Sequence, residues 1–89
     1  MVAKDIIIRN EQGFHVRPAQ LFVDKANEFR SDLKVRSESG EEADGKSMLD
    51  LMTLGLEKGA RIVLEASGED EQECLQALAE LIESKFGET

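Results

Sequence analysis

The apolar residues of this chain recur at two spacings. From Val16 onward, Ala19, Phe22, Val23, Ala26 and Phe29 return every three or four positions, the period of a helix with one buried face. Cys74, Leu75, Leu78, Leu81, Ile82 and Phe86 repeat the pattern near the end of the chain, behind Asp70 and Glu73 as candidate caps. Elsewhere the period drops to two. Leu33-Lys34-Val35-Arg36 alternates apolar with polar, and in the run from Gly59 to Ala66 the residues Ile62, Leu64 and Ala66 share one face. The β-branched stretch Lys4 to Arg9 reads as a further strand that stops at the turn-forming residues Asn10 to Gly13. SGEEADG supplies a turn and a short, weak strand that completes a hairpin with Leu33–Arg36. Ser47 opens the apolar run MLDLMTLG, which Gly55 closes, and Ser47 with Asp50 three residues on approximates a capping box, so a helix is expected over 47–53.

The resulting order is β-α-β-β-α-β-α. Short strands in that order are too few for a doubly wound parallel sheet, and a hairpin makes antiparallel pairing the economical arrangement. The expected fold is therefore α+β: an open-faced two-layer sandwich, a four-stranded antiparallel sheet with three helices on one face and water on the other. With 89 residues and 40% hydrophobic content, a single domain spanning 1–89 around one modest core is expected.

Charge narrows the partners. A net charge of -8 with scattered bases argues against nucleic acid, whose phosphates need clustered Lys and Arg. From Glu65 onward Lys85 is the only base, so the acidity is concentrated in the last third. The N-terminal MVAKDIIIRN carries an acid and too short an apolar run for a signal peptide or a membrane span, so no membrane insertion is expected. One cysteine, Cys74, lies on the buried stripe of the last helix, which suits a reducing, cytoplasmic setting. No metal-spaced cluster of side chains is visible, and no cofactor is expected.

One seven-residue stretch changes the picture. Gly13 to Ala19, GFHVRPA, holds the only histidine and the only proline of the chain. Pro18 fits only the first turn of a helix, where its missing N–H is not needed, so the helix starts just after His15. The free N–H groups and positive dipole end at that position disfavour the imidazolium and favour an anion, by roughly 0.3 to 1 kcal/mol for an exposed charge. An uncharged, nucleophilic ring is expected. A phosphoryl group placed on it would meet the backbone donors of residues 16 and 17, and Arg17 could add a charge-assisted hydrogen bond. The spacing alone also fits a surface or capping histidine.

GFHVRPA resembles the active-site signature of the histidine-containing phosphocarrier family HPr, of the phosphoenolpyruvate-dependent phosphotransferase system. DGKSMLDLMTLG, from Asp44, resembles that family's regulatory-serine region, at the family's order and separation, and the resemblance extends over nearly the whole chain. It implies that His15 accepts a phosphoryl group from phosphorylated enzyme I and passes it to a downstream enzyme II-type acceptor, with Arg17 steadying the group. It implies regulatory phosphorylation of Ser47, with a serine kinase or phosphorylase and regulatory proteins as further partners. Ser47 also has a sufficient structural reason to exist as an N-cap worth about 1 kcal/mol. The resemblance further implies an apolar docking patch of Phe14, Val16, Met48, Leu49 and Met52 on a protein that works as a monomer.

Three departures qualify the resemblance. Val16 stands where the family usually has a small residue, and Asp24 and Asp50 stand where sugar-transport members often carry neutral or basic ones. The hairpin RSESGEEADGKS, with the acidic C-terminal half, looks closer to the nitrogen-related branch of the family. Two other readings stay open: a regulatory module that docks on partner proteins according to its phosphorylation state, and an enzyme using His15 as general base. The last lacks a second histidine or an evident acid partner.

Overall fold

The computed structural model describes residues 1–87. Its elements are β1 (Val2–Ile7), α1 (Val16–Ala26), β2 (Asp32–Ser37), β3 (Glu42–Asp44), α2 (Met48–Thr53), β4 (Arg61–Ser67) and α3 (Glu71–Glu83), followed by a 3₁₀ turn over Lys85–Gly87. This is the expected β-α-β-β-α-β-α order. The last two positions of the expected 1–89 domain lie outside the described residues.

The strands form one antiparallel sheet in the order β1-β4-β2-β3. Period-two alternation decides which face is covered. On β4 the expected face, Ile62, Leu64 and Ala66, is buried. Pairing sets Ile6 opposite Ile62, and Val35 and Leu33 opposite Leu64 and Ala66. These residues continue into the helical layer through Phe22, Leu51, Leu78 and Ile82, giving one core cluster. The uncovered face carries charge instead. Arg36 bonds Glu42 at 2.8 Å and Glu65 at 2.6 Å, and Lys34 lies 3.5 Å from Glu42. The guanidinium holds the Glu42 carboxyl below its ordinary range. Partly exposed pairs of this kind add little to stability.

Two details differ from expectation. The first strand lies at Val2–Ile7 rather than Lys4–Arg9, because its partner β4 runs to Ser67 and recruits Val2 opposite Ala66. Past its end, Ile8 still donates to the Ala60 carbonyl and accepts from Gly59, at 2.9 and 2.7 Å. Phe86 reaches the core as expected but not from the α3 stripe. It enters from the following turn, where Lys85 and Phe86 both take left-handed backbone conformations, φ 59° and 56°.

The cap of α3 also departs from the expected form. Asp70 occupies the N-cap position but its carboxylate makes no capping bond to its own helix. It accepts instead from the backbone N–H groups of Arg30 and Ser31, both at 2.9 Å, and from the Ser31 hydroxyl. Those bonds, the hydroxyl first, draw the Asp70 carboxyl down to about 2. Glu71, the first residue of α3, reaches back to accept from the Gly68 N–H at 3.2 Å, and Glu73 makes no capping bond. Cys74 is fully buried as expected, and burial pushes its thiol up.

Candidate functional site

The site is assembled from the turn that precedes α1. Gly13 adopts φ +61°, and a Cβ there would lie 2.5 Å from the Leu56 carbonyl oxygen and 2.6 Å from Glu57 Cα. Only glycine allows that approach. The turn is closed twice by Asn10: its carbonyl accepts from Gly13 N–H at 3.1 Å, and its Nδ2 donates to the Gly13 carbonyl at 2.7 Å. Phe14 N–H then donates to the Leu56 carbonyl at 2.9 Å, tying the turn to the segment after α2.

This geometry turns the Phe14 ring inward. It is 3% exposed, with its centroid 5.2 Å from Phe22 and 5.4 Å, edge-on, from Phe86. The expectation that Phe14 joins an exposed docking patch is therefore corrected: its side chain belongs to the core, and its part in the site is to anchor the residue after it.

That residue is His15, exposed, and the N-cap of α1 with extended backbone, φ -74° and ψ -176°. Its carbonyl accepts the first helical bond, from Ala19 N–H at 2.9 Å, while its side chain caps nothing. Val16 and Arg17 precede that first bond, so their N–H groups have no acceptor within the helix. Pro18, buried in the first turn, removes the next donor without loss. The Arg17 side chain is exposed and forms no hydrogen bond or ion pair among the described residues. An imidazole, two free amides and an uncommitted guanidinium thus share one helix end, an arrangement suited to an anion carried on the ring.

The other expected site residues lie on α2, which packs against α1. Ser47 is its N-cap and accepts from Asp50 N–H at 3.2 Å. The box is only half formed, because the Asp50 carboxylate accepts from Asp44 N–H at 3.2 Å rather than from Ser47. Ser47 N–H goes to the Asp44 carbonyl at 3.0 Å. Leu49 at 75% and Met52 at 39% are exposed, as is Val16 at 65%, while Met48 is half-buried against the core. Of the five expected patch residues, Val16, Leu49 and Met52 are thus exposed, Met48 is half-buried and Phe14 lies inside the core.

A family model described as the PTS HPr component phosphorylation site matches residues 2–84. The chain belongs to the HPr family. Its similarity to the phosphocarrier protein HPr of Borreliella burgdorferi is 46% identity over 84 residues, 94% of this chain and 96% of that one. Among solved structures, HPr from Thermoanaerobacter tengcongensis superposes with a TM-score of 0.96 at 43% identity, covering 100% of this chain and 99% of its own. The Bacillus subtilis protein Crh superposes with a TM-score of 0.76 at 39% identity, covering 96% and 97%, and its structure is described as a dimer with a swapped domain. HPr proteins are phosphocarriers of the phosphotransferase system, so a phosphotransfer role follows from membership. Among the described residues no helix is long and apolar enough to cross a membrane.

Two site features escaped the sequence reading. Asn10 was legible as part of a turn but not as a fully buried side chain that closes it. The N-x-x-G spacing, with a side-chain donor three residues before a glycine, is the available signal. The tie from Phe14 to Leu56 joins segments far apart in sequence and leaves no local trace.

Proposed function

We propose that His15 is the phosphoryl acceptor of this HPr family member. A lone pair of its ring attacks the phosphorus carried by phosphorylated enzyme I, the donor's bond to phosphorus breaks, and the group later passes to a histidine or cysteine of a downstream enzyme II-type component. Arg17 and the amides of Val16 and Arg17 stabilise the charge carried by the transferring oxygens. Val16, Leu49 and Met52, with Met48, form the apolar surface on which successive partners dock, and methionine adapts readily to different contacts. The exchange is a cytoplasmic one between proteins and involves the monomer. The observation that carries this reading is the exposed His15 at an open helix end, with its ring and the neighbouring guanidinium both uncommitted.

Incubation with enzyme I and phosphoenolpyruvate should yield one acid-labile phosphate per chain, and none in His15→Ala; unchanged uptake by that variant would remove the assignment.

A second reading, compatible with the first, is supported by the half-exposed Ser47 at the start of the helix that bears Leu49 and Met52. Phosphate on its hydroxyl would add about -1.5 to -2 charge beside that apolar surface, making docking depend on modification by a serine kinase. Pull-downs with unmodified protein, phosphohistidine protein and Ser47→Asp should recover different partners, including regulatory ones. Identical recovery in all three states would exclude a switch. Reconstitution with sugar-transport and nitrogen-related acceptors should show transfer to one set, and equal transfer to both would remove a branch distinction.

A further inference from the structure

Asn10 is a polar residue with no exposed surface, on a turn whose next two residues, Glu11 and Gln12, are exposed. Burying a carboxamide is unfavourable unless it is hydrogen-bonded. One bond of its carboxamide runs toward the site: Nδ2 donates to the Gly13 carbonyl at 2.7 Å, two residues before His15. Gly13 cannot retreat in the other direction, because Leu56 and Glu57 occupy the space where a Cβ would go. Phe14 is held on its backbone by Leu56 and on its ring by Phe22 and Phe86. Of these restraints, the Asn10 carboxamide alone is a side-chain hydrogen bond, and it bridges the two ends of the turn.

Resting on the phosphocarrier reading of His15, we propose that Asn10 is a positioning residue for phosphoryl transfer. By donating to Gly13 it holds the peptide planes before His15 so that the imidazole leaves the chain at the open end of α1, over the amides of Val16 and Arg17. Without that donor the carbonyl of Gly13 is buried and lacks this partner, the turn samples other closures, and the ring spends less time where an in-line attack can occur. Misplacement of a reacting group by about 1 Å can cost on the order of a hundredfold in rate. Docking with the donor protein, which uses Val16, Leu49 and Met52, is untouched.

The test compares Asn10→Asp, which keeps the shape but offers the Gly13 carbonyl only an acceptor, with Asn10→Ser, which keeps a shorter donor. Controls are Gln12→Ala on the exposed part of the same turn and Leu78→Ala, which destabilises the fold from its buried position in α3. All are assayed with phosphorylated enzyme I well below their melting transitions. Asn10→Asp should lower the rate at saturating donor by about tenfold or more with KM within about twofold, Asn10→Ser should fall between it and wild type, and both controls should transfer at the wild-type rate. In the Asn10 variants the imidazole resonances of His15 should broaden or double. If one variant fails to fold, the other decides. Wild-type transfer in a folded Asn10 variant, or an equal loss in Leu78→Ala, would overturn the positioning role. A wild-type chain that takes up no phosphate would overturn the carrier reading and this inference with it.

Discussion

The starts of α1 and α3 both lack a side-chain cap on their own amides and differ in what the cap residue does instead. At α3, Asp70 is bound to the segment before β2 by two backbone donors and a hydroxyl, while Glu71 reaches back to Gly68. At α1, His15 makes no side-chain cap, and the amides of Val16 and Arg17 are left without helical acceptors. One end is used to hold the fold together, and the other is left open. The short helix α2 stands between them, with Ser47 satisfying one donor and keeping a half-exposed hydroxyl. α3 carries Glu71 and Glu73 in its first turn and α1 carries no acid there, so of these two uncapped ends the one with room for an anion is the one beside the single histidine of the chain.

Substitutions along this series should separate stability from function. The largest loss of stability is expected in the body of α3, where Leu78 is fully buried. Leu78→Ala should cost about 2 to 5 kcal/mol by denaturant unfolding, and a negligible change would contradict the buried face. Asp70→Asn should come next, with a pH signature. The folded carboxyl sits at about 2 against an ordinary 3.8, so its contribution is fully present above about pH 4 and is lost as the pH falls toward 2. The wild type should therefore lose stability across that window, and the variant should lose less of it; parallel melting profiles for the two would refute the Asp70–Ser31 tie. Ser47→Ala should cost about 1 kcal/mol, the loss of a single cap bond. The smallest effect is expected at the open end: Arg17→Ala should change stability by less than about 0.5 kcal/mol yet slow phosphoryl transfer. Wild-type transfer in that variant would show that the guanidinium takes no part.

What the sequence revealed and what it hid follow the same division. The layers were legible because period-two and period-three-to-four patterns are local, and Ile62, Leu64, Ala66, Cys74, Leu78 and Ile82 are buried where those periods place them. His15 at the start of α1 and Ser47 at the start of α2 were legible from Pro18 and from the cap pattern. What could not be read depends on distant partners. Phe14 borders the histidine and looks like part of the same surface, but Leu56, Phe22 and Phe86 draw it inside. Asp70 looks like an ordinary cap until Ser31 is placed beside it, and Asp50 looks like half of a box until Asp44 takes its carboxylate. The shift of β1 toward the N-terminus likewise reflects its register on β4 rather than its own composition.

The central claim is that the open end of α1 exists to carry a phosphate on His15. The most direct measurement is to phosphorylate the chain with enzyme I and phosphoenolpyruvate, digest it, and locate the phosphate by mass spectrometry and phosphorus NMR. The account predicts a single phosphate on the peptide containing His15, released in acid and retained in alkali. A phosphate found on any other residue under these conditions, or none at all, would contradict it.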